Sequence, residues 1–286
     1  MTNLQVSPVF NDLGFELLQA SATNLMGKKL TRVIDPLIGI QEFKWQGRSL
    51  GPLVHRETLI VLYLFEDSAP FTISTSNGWQ RSMTAGALSV LWAGAAVEIC
   101  GSRSDVEKRV HGLQLTFSQK LLCLPDGLEC IYQPGDQTPV IELNGASMKV
   151  LCGRTSRGDN RELPNGGLTF VQLSVTKSST CNVSIPRGYK AIIYLIDGSV
   201  TFSLFFASWT LANGDVIAVG GSCSDDNVGI TAQHDSRIIL IVCKPISTDK
   251  VNDTTNSNDS AVTAYRNISN DSTSTAFDTR IMILPI

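Results

Sequence analysis

The chain has 286 residues, 43% of them hydrophobic and 17% charged, with a formal net charge of −3. That length suits two ordinary domains with sizeable cores. Mild acidity with scattered Lys and Arg argues against electrostatic binding of nucleic acid, and no apolar run reaches the roughly 18 residues of a membrane helix. In chain order, the opening MTNLQVSPVF has neither the basic start nor the apolar run of a secretory leader, which predicts a soluble intracellular protein, cytoplasmic or nuclear. A short helix over Asn11–Ser21, capped by Asn11 or Asp12, is the one helical expectation.

From there on almost every segment reads as a short strand. ETLIVLYLF (57–65), PFTIST (70–75), LSVLWAG (88–94), LQLTF (113–117) and MKVLCG (148–153) come first. TFVQLSV (169–175), AIIYLI (191–196), VTFSLFF (200–206), VIAVG (216–220) and RIILIV (237–242) follow. They are rich in β-branched and aromatic residues and are bounded by Gly, Pro, Asn or Asp, the punctuation of antiparallel sheets. Two stretches echo each other. Residues 57–94 run strand, acidic turn, strand and then TAGALSVLWAG; residues 186–220 run PRGYKAIIYLIDGSVTF and then LANGDVIAVGG. A repeat of strand, turn, strand, Gly turn and strand favours two barrels over one larger sheet, with an unrelated β-sandwich as the alternative.

Residues 247–276 are polar, low in complexity and poor in large apolar side chains, so they offer little surface to offset chain ordering and are expected to be disordered. The closing RIMILPI is apolar again and suits an edge strand. The expected division is a segment over 1–29, barrels over 30–125 and 126–246, and a tail over 247–286.

The seven cysteines, at 100, 123, 130, 152, 181, 223 and 243, form no C-x-x-C pair and read as buried free thiols. Five N-x-S/T sequons begin at Asn182, Asn252, Asn258, Asn267 and Asn270, and without secretion they are compositional. GGSCSDDNVG (220–229) lacks the lysine and helix of a phosphate loop, and no G-x-S-x-G elbow is present. The tryptophans at 45, 79, 92 and 209 read as barrel core or rim.

IDPLIGIQEF (34–43), HRET (55–58), MTAGALSVLWAG (83–94), HGLQL (111–115), IYQPGDQTPVIELNGASMKVLCG (131–153) and PRGYKAIIYLIDGSVTF (186–202) occur in an order and spacing that resembles the pirins, two-barrel members of the cupin superfamily. The resemblance covers roughly residues 30–246. It implies an all-β bicupin of two antiparallel jelly-roll barrels, with metal in the N-terminal one only. Pirins are described as iron-binding nuclear proteins that modulate transcription factors, and some cleave the flavonol quercetin with dioxygen. By resemblance, the expected partner is a transcription factor or a small molecule, with no direct nucleic acid and no membrane.

Pirins carry HPHRG-x-ET on one strand and AGRGI-x-H-x-E on another, and four of those side chains hold iron. Non-haem iron needs two or three imidazoles and a carboxylate. This chain has three histidines, His55, His111 and His234. With a two-residue deletion, His55 matches the second family histidine and Leu53 replaces the first; without it, Gly51 and Leu53 fall on those positions. AGAAVEICG aligns without gaps, which puts Ile99 on the histidine position and Gly101 on the glutamate position. Glu98 and Cys100 lie beside them but on the alternate face of a regular strand. At most one family metal ligand, His55, is then retained, and by the resemblance Leu53, Ile99 and Gly101 are the pocket positions that replace the rest. The expected function is a non-catalytic binding or regulatory module whose iron site is lost, with no cofactor and no catalytic residue. The alternative is an iron-dependent, quercetinase-like dioxygenase with an altered ligand set of His55, Glu57 or Glu98, and His111. His234 reads as a turn residue.

Overall fold

The computed structural model describes residues 20–24, 37–46, 49–55, 58–76, 78–93, 97–102, 108–118, 131–155, 168–204, 207–220, 226–244 and 280–282. Among these residues the regular structure is strand, apart from one 3₁₀ turn at Gly135–Gln137, and no α-helix occurs. The chain divides into two compact units between Thr138 and Pro139.

The first unit contains β1 (Ala20–Asn24), β2 (Leu37–Trp45), β3 (Ser49–His55), β4 (Thr58–Leu64), β5 (Phe71–Thr75), β6 (Gln80–Met83), β7 (Leu88–Ala93), β8 (Val97–Ser102), β9 (Val110–Ser118) and β10 (Ile131–Gln133). They form a six-stranded sheet, β1-β2-β9-β4-β7-β10, and a four-stranded sheet, β3-β8-β5-β6. The second unit contains β11 (Val140–Leu143), β12 (Ala146–Cys152), β13 (Leu168–Val175), β14 (Thr180–Ile185), β15 (Lys190–Asp197), β16 (Ser199–Leu204), β17 (Ala207–Ala212), β18 (Val216–Gly220), β19 (Asp226–Ala232), β20 (Ser236–Cys243) and β21 (Arg280–Met282). Their sheets run β11-β12-β13-β20-β15-β18 and β17-β16-β19-β14-β21.

The two units repeat one topology. The order β2-β9-β4-β7 returns as β13-β20-β15-β18, and β3-β8-β5-β6 returns as β14-β19-β16-β17. The match extends to single hydrogen bonds. Leu64 donates to the Ala87 carbonyl and accepts from Gly86, while Leu195 donates to Asp215 and accepts from Gly214. Both glycines sit in the left-handed region, at φ 73° and 86°, which a side chain would strain. This is the physical content of the echo between TAGAL and LANGD.

Each unit wraps its own core. In the first, Trp45, Ile60, Leu62, Leu64, Phe71, Ile73, Met83, Leu91 and Val110 meet between the two sheets, and the Trp45 and Phe71 rings pack edge to face at 5.8 Å. In the second, Val171, Leu173, Val183, Ile193, Phe202, Ile230, Leu240 and Val242 do the same. Each six-stranded sheet is buried on its other face as well. Leu59, Val61 and Tyr63 of β4, and Ile192 and Tyr194 of β15, are also buried. That explains why both strands read as unbroken apolar runs rather than as alternations.

All ten sequence-predicted strands are present, with ends shifted by a few residues. VTFSLFF is shorter than expected, since β16 ends at Leu204 and returns through the β16–β17 hairpin. The helix expected over residues 11–21 is corrected at its end, where Ala20 and Ser21 begin β1 and pair with Trp45 and Lys44; residues 11–19 lie outside the described residues. The low-complexity stretch 247–276 lies outside them too. RIMILPI does supply an edge strand: β21 pairs in parallel with β14.

Candidate functional site

The strands named by the two family motifs are neighbours. β3 pairs with β8 in antiparallel register, Leu53 opposite Ile99, Val54 opposite Glu98 and His55 opposite Val97. Before that, Leu50 is opposite Gly101, so β3 advances three residues where β8 advances two, and the extra residue forms a bulge at Gly51–Pro52. On its other side β8 pairs with β5 without a shift, Ile99 opposite Thr75 and Gly101 opposite Ile73. Thr75 and Ile73 are buried, and Ile73 belongs to the barrel core. Register partners share a face, so Leu53, His55, Ile99 and Gly101 occupy inner-face positions. Glu98 and Cys100 occupy the other face, opposite Val54 and Ser74. The bulge in this pair falls on β3 rather than on β8.

The inner face of the opposing sheet carries polar groups that the sequence analysis did not single out. Phe43 and Trp45 pack on the core, so two residues earlier Gln41 lies on the same face of β2. It is opposite Gln114, which is opposite Leu62 in turn. Thr116 pairs with Ile60, and Thr58 stands two residues before Ile60 on β4. Gln114 is only 8% exposed, and its amide donates to the Thr116 hydroxyl at 3.5 Å. The Thr58 hydroxyl is buried without a hydrogen-bond partner. The first barrel thus holds neutral amides and hydroxyls, which donate and accept but carry no charge. The signal was present in VHGLQLTFS, where Gly112, Gln114 and Thr116 alternate with Leu113, Leu115 and Phe117. Alternation alone would send the apolar set inward.

His111 is on the opposite face of β9 from Gln114. Its Nε2 lies 2.7 Å from Glu42 Oε1 and its Nδ1 3.4 Å from Asp67 Oδ2. Its ring stands edge-on to Phe65 at 4.6 Å, and its backbone N–H donates to the Ser68 hydroxyl at 2.9 Å. With a proton on each nitrogen the ring donates to both carboxylates. Burial alone would raise the Glu42 carboxyl, but the His111 hydrogen bond and the Lys44 ammonium, 3.2 Å away, outweigh it and hold the carboxyl below its ordinary value of 4.5. His111 therefore ties the β4–β5 turn to β2 and β9, away from the inner-face positions of the metal motifs. Gly112 beside it is required by close approach: a Cβ there would meet the Tyr63 carbonyl at 2.5 Å and the Phe43 ring at 2.7 Å.

Leu53, Ile99 and Gly101, on the positions that the resemblance assigns to metal ligands, do not fit a metal. Leucine, isoleucine and glycine offer no donor atom, and transition-metal sites need several ligands in fixed geometry. Among the described residues no group of three or more His, Cys, Asp or Glu could hold an ion. His234 sits exposed in the bend before β20. The Cys181 and Cys243 thiols are buried and pushed up to about 12 by desolvation, which leaves them unreactive. Trp45 is core, and Trp79 and Trp209 pack against the cores of their units. The second unit has a groove of about 640 Å³ beside Glu142, Ser147, Ser174 and Arg237, but Asp197 and Arg237 there engage each other, with Arg237 Nε 2.7 Å from Asp197 Oδ2. Among the described residues no helix is long and apolar enough to cross a membrane.

No protein-family profile and no curated protein matches the sequence. Solved structures do match. A Geobacillus kaustophilus protein, GK1651, superposes with a TM-score of 0.69 at 19% identity, over 84% of this chain and 96% of that one. A quercetin 2,3-dioxygenase from Acinetobacter baumannii gives 0.65 at 17% identity, over 78% and 80%. The Escherichia coli pirin YhhW, in complex with nickel(II), gives 0.60 at 15% identity, over 80% and 93%. The chain has a pirin-like bicupin fold.

Proposed function

We propose that this protein is a pirin-like binding module that does no oxygen chemistry. The observation that carries the reading is the register of β3 and β8. Leu53 lies opposite Ile99, with Gly101 two residues further along β8, where a metal-dependent relative would need side chains that donate electron pairs. His55 alone is a ligand type in that set, and a single imidazole gains too little to hold iron against water and chelators. The altered-ligand dioxygenase reading needs His55, Glu57 or Glu98, and His111, and His111 is engaged by Glu42 and Asp67 on the face of β9 opposite to Gln114. The neutral groups at Thr58, Gln114 and Thr116 favour a small uncharged ligand, bound by hydrogen bonds inside the first barrel, over iron-dependent turnover. Elemental analysis of protein expressed in iron-supplemented medium tests the reading. The expected result is no stoichiometric iron and no flavonol oxidation. One iron per chain, lost on His55→Ala, would overturn it in favour of the dioxygenase.

A further inference from the structure

We propose that Gln41 and Gln114 form a paired-amide edge inside the first barrel, which takes a small uncharged cyclic amide, a lactam, through its N–H and carbonyl together. The proposal rests on the reading of that barrel as a metal-free binding interior and names the chemistry of its ligand. The two glutamines stand directly opposite each other on β2 and β9, where cross-strand side chains are about 5 Å apart. In the equivalent places the second barrel has Val171 and Leu240, both packed in its core. The neighbours of the pair are apolar. Leu62 is opposite Gln114 on β4, and Phe43, two residues along β2 from Gln41, packs on the core.

The two amides are near enough to bond to each other and do not. Gln114 is 8% exposed, and its Nε2 donates along its own strand to Thr116 Oγ1 at 3.5 Å. Thr116 is thus a positioning residue. Among the described residues, neither the Gln114 carbonyl nor the Gln41 amide finds a hydrogen-bond partner. Thr58 Oγ1 is the one side-chain polar atom among them that is enclosed without a partner, so the Gln114 carbonyl borders open space rather than packed atoms. A primary amide presents an N–H and a carbonyl side by side in one plane. Its complement carries an acceptor and a donor on one edge, and a lactam ring holds its amide in that cis form with no ordering cost on binding. A carboxylate would enter with its charge unpaired, because the described inner-face residues of β2, β4 and β9 include no charged side chain. A hydrocarbon would leave both amides unsatisfied, and a ketone would answer only their donors.

Titration calorimetry of the full chain with isoquinolin-1(2H)-one, a two-ring lactam, tests the proposal. Saturable binding of one molecule per chain is expected. The N-methyl derivative keeps the body of the probe but lacks its N–H, and it should bind about tenfold more weakly. Gln114→Leu should weaken binding of the parent lactam by about the same factor. Thr116→Val should weaken it too, and Thr116→Ser, which keeps the hydroxyl that holds Gln114, should not. No saturable binding at millimolar lactam, or equal affinity for the two probes, would overturn the proposal. The probe comparison uses the unaltered chain, so it decides the matter even where a variant fails to fold. Iron content of the same samples separates the two readings. Iron-free protein that binds no lactam removes the paired-amide edge alone, whereas stoichiometric iron removes the metal-free reading and this proposal with it.

Discussion

The two barrels share a strand order but not an interior. On the six-stranded sheet of the second, the inner positions of β13, β20 and β15 are Val171, Leu173, Val175, Ile238, Leu240, Val242, Ala191, Ile193 and Leu195, all in the core. The equivalent strands of the first barrel place Gln41 where the second has Val171, Gln114 where it has Leu240, and Thr116 where it has Val242. These equivalences follow from the register, because Gln114 faces Gln41 and Leu62 as Leu240 faces Val171 and Ile193. A barrel that needs only to be stable fills such positions with apolar side chains. The second barrel does so; the first keeps neutral polar groups at those positions, the difference on which the proposed binding function rests.

The comparison breaks most visibly if the polar residue is moved across. Leu240→Gln should destabilise the second barrel by about 3–5 kcal/mol, combining lost apolar burial with an amide that finds no partner. Its thermal transition should fall by about 10 °C. The reverse exchange, Gln114→Leu, should change stability by less than about 1 kcal/mol, because its one bond, to Thr116, is long. If the two substitutions cost the same, the interiors are not different in kind.

The fold was legible because strand chemistry is local. β-branched runs, the paired Gly turns at 86 and 214 and the apolar end segment each announce themselves without reference to the rest of the chain. The alternation along β8 was legible in the same way, since register puts Ile99 and Gly101 on one face and Glu98 and Cys100 on the other. The polar interior was not legible. Alternation in VHGLQLTFS marks Leu113, Leu115 and Phe117 as the buried set, and they are buried, at 0 to 2% exposure. They belong to the outer face of the sheet, which is covered as well, so the polar set of Gln114 and Thr116 is left for the barrel interior. When both faces of a sheet are buried, hydrophobic period no longer says which one is the inside. The bulge at Gly51–Pro52 was hidden for a related reason, since it depends on the partner strand and leaves no local periodic mark.

A second contrast lies on the outer faces. His111 and Arg237 occupy equivalent places near the starts of β9 and β20. The His111 N–H donates to Ser68 and the Arg237 N–H to Asp197, so the first is fastened to the turn that follows β4 and the second to the end of β15. The first tie runs through an imidazole between carboxylates; the second runs through a guanidinium, which keeps its charge at any relevant pH. Because the Glu42 carboxyl is held below 4.5 in the folded chain, its contribution is present above the unfolded value and is lost as pH falls through the lowered folded one. Glu42→Gln should therefore flatten the acid limb of the first barrel's melting profile below about pH 4.5 and leave that of the second unchanged. A parallel shift of both barrels would show that the tie is not local.

The smallest expected effect is at Thr58, and its sign is the informative part. The hydroxyl is buried with no hydrogen-bond partner, on the inner face of β4 in line with Ile60 and Leu62. Valine has nearly the same shape and also suits a strand. Leaving a donor unsatisfied costs about 1–3 kcal/mol where it is fully desolvated. Thr58→Val should therefore raise the melting temperature of the first barrel by a few degrees, equivalent to about 1 kcal/mol. Tyr189, the equivalent residue of the second barrel, already packs into the core, so the prediction separates a position kept polar for a ligand from one kept for stability. If valine lowers the melting temperature instead, the hydroxyl serves the fold, and the case for a polar binding interior rests on Gln41, Gln114 and Thr116 alone.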